Sequence, residues 1–255
     1  MTKSRSIELL AIPGLPFVKP GDDLAALIGT ALQEYHPQSG DVLVVAQKVV
    51  SKAENRFVDL ATVVPSEEAR RLAAEVGKDP RIVEVVLSES TRVVRSRPNL
   101  MIMEHRLGMV MANAGVDHSN VTPAGGPDQL LLLPRDPDAS AAALRDALGA
   151  RFGIDLAVVI SDSFGRAWRR GTVGVAIGSA GLPALVDMRG KPDLFGRILE
   201  VTVVGFGDEI AAAAGLVMGQ ADEGQPVVLV RGLRWAAPAL PASELIRPPA
   251  EDLFR

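Results

Sequence analysis

Four short apolar runs punctuate the chain. Residues 42–46 read Val-Leu-Val-Val-Ala, 100–103 Leu-Met-Ile-Met, 156–160 Leu-Ala-Val-Val-Ile and 226–230 Pro-Val-Val-Leu-Val. Each is bounded by polar or turn residues, the pattern of a strand buried on both faces. Segments 108–112 and 199–204 predict two further strands. Between the runs the period changes to that of helices. Asp22 and Asp23 precede an amphipathic stretch, 24–35, and acidic residues suit the positive end of a helix. Pro65, Ser66, Glu67 and Glu68 open 69–76, which Gly77 stops. Asp138 and Ser140 start 141–152, ended by Gly153. Asp208 and Glu209 open 210–218, whose small apolar residues predict a buried helix closed by Gly219. The glycine-rich stretch 171–178 reads as a close-packed strand or a loop. Strands and helices interleave without a regular strand-helix-strand beat, so the predicted class is α+β. From Trp235 onward, Pro238, Pro241, Pro248 and Pro249 predict an extended strap rather than a domain.

Composition narrows the function classes. A chain of 255 residues makes one large domain or two smaller ones. The predicted division is discontinuous, with 1–90 plus 185–255 as the larger unit and 91–184 as a smaller insertion. Aromatic residues are only 4%, so the core is aliphatic. The net charge is −4 and no long basic run occurs, which disfavours a nucleic-acid partner. With no cysteine, disulfides, thiolate zinc sites and thiol catalysis are excluded. Glu8 and Pro13 interrupt the N-terminal apolar stretch, and no run approaches the roughly 20 residues of a membrane helix. A cytoplasmic location without a membrane partner is expected.

The usual phosphate-binding loops are absent: there is no G-x-x-x-x-G-K-[ST], and Gly205-Phe206-Gly207 breaks the dinucleotide pattern at Ile210. Two Asp-centred segments remain. Asp117 follows a predicted strand and a tight Asn-Ala-Gly turn, with Asn120 three residues on. A carboxylate placed there suits Mg²⁺ or Mn²⁺ bridged to phosphate, or else caps the next element. Asp162 ends another apolar strand, followed by Ser163. Arg166, Arg169 and Arg170 then read as an anion clamp or as a solvated basic loop. Lys48 and Lys52 share a face if their stretch is helical. Lys52 is a candidate to neutralise phosphate, or to pair with Glu54. His36, His105 and His118 show no metal-ligand spacing, and His118 is assigned a surface or supporting role.

Taken in order, a series of segments resembles one family. They are Gly14-Leu15-Pro16, Gly21-Asp22-Asp23-Leu24, Gln47-Lys48-Val49-Val50-Ser51-Lys52-Ala53-Glu54, Asn113-Ala114-Gly115-Val116-Asp117 on to Asn120, and Leu133-Pro134-Arg135-Asp136-Pro137-Asp138. Ser161-Asp162-Ser163 on to Arg170, Asp208-Glu209-Ile210-Ala211 and Met218-Gly219 complete it. The chain resembles the coenzyme F420-0:L-glutamate ligases, or gamma-glutamyl ligases, from about residue 7 to 233. Several motifs in order are more specific than any one. The resemblance implies a GTP-dependent, amide-forming ligase. Such an enzyme adds L-glutamate to F420-0, and then gamma-linked glutamates, through an acyl phosphate. It further implies a two-domain α+β monomer in an intertwined homodimer with the site at the interface, and potassium as a further ion.

Matched motif to motif, Asp117 and Asp162 would hold one divalent metal, and Ser163 with Gln220 a second. Leu15, Pro16, Phe17, Val18, Gln47, Lys48, Lys52 and Asn120 would surround GTP, with the turn of Met218, Gly219, Gln220, Ala221, Asp222, Glu223, Gly224 and Gln225. Asp162, Lys52, Arg166 and Arg169 would carry catalysis. One position departs from the pattern. Where the family can present a Glu, Gln220 offers only a carbonyl oxygen, a weaker ligand. The rival readings are a metal-dependent phosphohydrolase, built on the same carboxylates and arginines, and a non-catalytic GTP-binding regulatory protein.

Overall fold

A computed structural model describes residues 5–121 and 128–253. In chain order the elements are β1 (Glu8–Ala11), α1 (Leu24–Leu32), β2 (Val42–Ala46), α2 (Gln47–Ala53), β3 (Phe57–Asp59), α3 (Glu67–Val76) and α4 (Pro80–Ser88). There follow β4 (Ser90–Arg97), β5 (Leu100–His105), β6 (Val110–Ala112), β7 (Gln129–Leu131), α5 (Pro137–Phe152), β8 (Ala157–Gly165), β9 (Thr172–Ala180), β10 (Val186–Asp187), β11 (Val203–Val204), α6 (Phe206–Met218) and β12 (Val227–Arg231).

The fold is a mixed α/β arrangement around a five-stranded sheet of order β1-β12-β2-β8-β9. Within it β2 and β8 run parallel and every other neighbouring pair is antiparallel. The apolar runs alternate between the two faces of this sheet. Leu43, Val45, Val158 and Ile160 pack with α1 and α5, while Val42, Val44, Ala157 and Val159 pack with α6. β8 and β9 lie inside segment 91–184, yet they join the same sheet as β2 and β12. A three-stranded sheet, β4-β5-β6, packs on α3 and α4, and β3 pairs with β7.

Local chemistry sets the helix limits. Asp23, Ser66 and Asp136 accept hydrogen bonds from the amides of Ala26, Ala69 and Ala139, closing the helix starts. Gly77 and Gly153 end α3 and α5 in the left-handed conformation, at φ 69° and 67°. The predicted helices 24–35, 69–76, 141–152 and 210–218 all appear. α4 was not predicted, although Asp79 caps it and Pro80 occupies its first turn.

The glycine-rich stretch resolves as strand β9. A Cβ on Gly174 would strike the carbonyl of Ala211 on α6, and one on Gly178 the carbonyl of Pro137 on α5. Both helices thus press on the sheet only because these side chains are missing. Segment 199–204, predicted as a strand, pairs only at Val203 and Val204. It forms the return of a long arm, 186–204, in which Met188 bonds Thr202 and Gly190 bonds Leu199. Turns at Gly190 and Gly196 interrupt the ladder. The strap from Trp235 holds: it lies along the edge of β9, where Asp138 accepts from the amides of Ser179, Ala242 and Ser243.

Candidate functional site

The site forms where the two parallel strands finish. β2 and β8 pair from Val42 with Ala157 to Ala46 with Ser161. Beyond that register β2 turns directly into α2, delivering Gln47 and Lys48. β8 runs on as far as Gly165, paired now with β9 alone. Asp162 therefore lies inside a strand rather than at its end, but it is the first β8 residue past the parallel pairing. The carboxyl ends of parallel strands are the usual place for a ligand, because the chain leaves the sheet there in different directions.

Asp117 reaches this point from the other side. Asn113, Ala114 and Gly115 take successive positive φ angles of 50°, 51° and 66°. That turn carries the chain from β6 to a two-way backbone bond between Asp117 and Leu131, both at 2.9 Å. Leu133 and Met111 press against Gly115, leaving no room for a side chain. Such a run of unusual conformations persists only when the surroundings fix it, and it aims Asp117 at α2.

Four segments meet here. Lys48 Nζ donates to Asp117 Oδ2 at 2.5 Å, and Gln47 Nε2 donates to the same oxygen at 2.7 Å. Lys52 Nζ donates to the backbone oxygen of Asn120 at 2.7 Å, and Asn120 Nδ2 to that of Ala221 at 3.0 Å. Ser163 Oγ donates to Gln220 Oε1 at 2.7 Å. Residues as far apart in sequence as 47, 117, 162 and 220 thus come together. His118 pairs with Asp128 at the surface.

The Asp162 carboxyl is perturbed in the direction a cation would relieve, and the Lys52 ammonium in the direction an anion would. Burial pushes the Asp162 carboxyl up to about 7, and the nearby charge of Asp117 adds to the shift. The Lys48 ammonium and the Ser163 amide only partly offset it. Lys52 is lowered by burial and by Lys48, against the pull of Asp117. The donors offered are carboxylate, hydroxyl and amide oxygens, hard ligands suited to Mg²⁺ or Mn²⁺. Among the described residues no group of three or more His, Asp or Glu gathers to hold an ion. Two carboxylates with Ser163 and Gln220 would leave room on such an ion for phosphate oxygens and water. Lys48 already places one cation on Asp117. The set is chemically compatible with the implied metals, and Gln220 Oε1 is turned toward the Ser163 hydroxyl.

The other expected residues differ in their exposure. Arg166, Arg169 and Arg170 lie exposed on the turn between β8 and β9. Phe17 is 95% exposed, whereas Val18 belongs to the core and Leu15 packs against it. In the 218–225 turn, Glu223 curls back so that its carboxylate accepts from the Ala221 amide at 2.8 Å, which keeps its pKa low. Sequence reasoning gave Ser51 no role, yet its hydroxyl donates to Gln47 Oε1. The spacing of four residues on α2 was the available signal.

Carboxylates, lysines and hydroxyls gather at the ends of the parallel strands of a mixed sheet, a donor set that a metal-bound anion would suit. Comparison with known proteins places the chain more narrowly. The family model of the F420-0:gamma-glutamyl ligases matches residues 14–232, and the chain belongs to that family. It is similar to the coenzyme F420:L-glutamate ligase of Methanopyrus kandleri, at 49% identity over 93% of both chains. Identity to the proteins of that name is 46% in Methanothermobacter thermautotrophicus, over 98% of this chain and 99% of the relative. In Methanocaldococcus jannaschii it is 40%, over 99% and 98%.

Proposed function

We propose that this chain is a cytoplasmic, GTP-dependent ligase that joins L-glutamate to coenzyme F420-0 and extends the product through gamma-linked glutamates. Family membership supports the class of reaction. The observation that carries the nucleotide and metal reading is the meeting of Asp117 and Asp162 with Lys48 and Lys52 beyond the parallel strands. A carboxylate does not condense with an amine in water unless its oxygen is made a leaving group. The acceptor carboxylate takes the γ-phosphoryl group of GTP and GDP departs. The glutamate amine then attacks the acyl phosphate, the amide forms, and phosphate and a proton leave.

The chain's own residues position the reactants and neutralise their charge. Asp117 and Asp162, with Ser163 and Gln220, would hold Mg²⁺ or Mn²⁺, which supplies positive charge to the phosphate oxygens; potassium is a further expected ion. Lys52 stands beside Asn120 to meet phosphate. Arg166 and Arg169, on the exposed turn, offer guanidinium forks to anionic substrates. Residues 15–18, 47–48, 120 and 218–225 form the nucleotide's surroundings. Homodimerisation is supported by the 186–204 arm, whose Leu194 and Phe195 are 92% and 91% exposed, an apolar tip that a second copy would cover.

The test is incubation with GTP and Mg²⁺, with and without F420-0 and glutamate, followed by mass spectrometry of the product. A mass increase of one or more glutamyl units, with GDP formed only when both substrates are present, is the expected result. GDP and phosphate released without either substrate would instead mark a phosphohydrolase.

A further inference from the structure

Beneath the site lies a buried polar pair, of which only Gln47 has a part in the reading above. Gln47 and Ser51 are 1% and 0% exposed. Both stand on the inner face of α2, one turn apart. Ser51 Oγ lies 2.9 Å from Gln47 Oε1, and Gln47 Nε2 lies 2.7 Å from Asp117 Oδ2.

The polarity of this chain is fixed by its end. An ionised carboxylate only accepts, so the Gln47 group facing Asp117 must be the NH₂. The Gln47 carbonyl then points the other way, into the protein, where an unpaired oxygen would be costly. Ser51 can donate or accept, and here it donates. The hydroxyl thus anchors the amide in the one orientation that offers a donor to Asp117. Lys48 lands on the same Oδ2, so both side-chain donors hold one oxygen of the carboxylate and leave Oδ1 outside the pair.

We propose that Ser51 is a positioning residue for the metal-binding carboxylate: acting through Gln47, it holds Asp117 with Oδ2 turned into the protein and the carboxylate set to receive a divalent cation. Without the hydroxyl, the Gln47 carbonyl has lost its donor and the amide rotates to find another, releasing Asp117. The inference rests on the reading of Asp117 as a metal ligand. Partners that orient a ligand typically change metal affinity by about 10–100-fold when removed.

The test is titration of the nucleotide-free protein with Mn²⁺, read by electron paramagnetic resonance. Ser51→Ala is expected to weaken binding by about tenfold or more, and Ser51→Thr, which keeps the hydroxyl, to restore it. On a Gln47→Met background, Ser51→Ala is expected to change nothing further, because the path to Asp117 is already cut. If Ser51→Ala does not fold, Ser51→Cys keeps the bulk with a far weaker donor and takes its place in each comparison. Wild-type affinity in Ser51→Ala overturns the relay while leaving the metal site standing. So does a loss in Ser51→Thr as large as in Ser51→Ala, or an undiminished loss on the Gln47→Met background. A wild-type protein that binds no Mn²⁺ overturns the metal site itself, and this inference with it.

Discussion

Glu89 offers a prediction whose size follows from its surroundings. It closes α4 and sits 12% exposed between three basic side chains. Arg56 Nη2 and Arg106 Nε each donate to its Oε2 at 3.1 Å, and His105 Nε2 lies 3.5 Å from the same atom. His105 Nδ1 accepts from the Leu107 amide, so its proton resides on Nε2, facing the carboxylate. Arg56 also donates to the carbonyl of Leu133, and Arg106 to that of Arg135. One carboxylate thereby ties the end of α2, the end of β5 and the segment after β7. Burial resists its ionisation, but His105, Arg106 and Arg56 outweigh that and draw its pKa from 4.5 down to about 2. At 1.36 kcal/mol per unit, this corresponds to about 3 kcal/mol of stability. The sign follows from linkage. A carboxyl lowered by folding stabilises above its unfolded value, near 4.5, and loses that contribution as pH falls toward 2. Glu89→Gln leaves two guanidinium groups facing each other without a counter-charge. Urea unfolding is expected to show a loss of about 3 kcal/mol at pH 7, shrinking to about half by pH 3. A difference that stays constant across that range, or one below about 1 kcal/mol at pH 7, would refute the assignment of an ionic hub.

Other outcomes follow from the site and the sheet. Asp162→Ala is expected to abolish GTP-dependent glutamylation while leaving the circular dichroism spectrum unchanged; full activity removes Asp162 from the site. Asp117→Asn should raise the metal concentration needed for activity sharply, and an unchanged metal titration counts against its role. Because the Asp162 carboxyl is raised from 3.8 to about 7, the metal-free protein carries a proton there below that value. Mn²⁺ affinity should therefore climb with pH up to about 7 and then level off, with proton release measurable by calorimetry in buffers of different ionisation enthalpy. Gly178→Ala would drive a methyl group into the Pro137 carbonyl. It should cost about 1–3 kcal/mol or more, read as a lowered Tm, whereas Gly165→Ala, where nothing lies within reach, should not.

Much of the fold was legible because its signals are local. The run Val42 to Ala46 is a strand over the predicted residues, and α3 ends at Gly77 in the left-handed conformation its sequence position requires. Capping, apolar periodicity and turn chemistry act within a few residues, so the chain itself carries them. The aspartates were also readable as candidates, since a carboxylate beside an apolar run is unusual. Tertiary structure decided the rest. Segment 199–204 has the composition of a strand but pairs only at Val203 and Val204, with β10, and becomes one side of an arm. β8 continues past the predicted end because β9 supplies a partner as far as Gly165. That Gln47, Asp117, Asp162 and Gln220 meet depends on the parallel register of β2 with β8 and on the bond between Asp117 and Leu131. Pairings across such separations leave no periodic trace in sequence. The same holds for Ser51, which looks like any helical serine until Asp117 arrives at the far end of Gln47. The sequence by itself determined the elements and the chemistry available; only the packed sheet determined which side chains face one another.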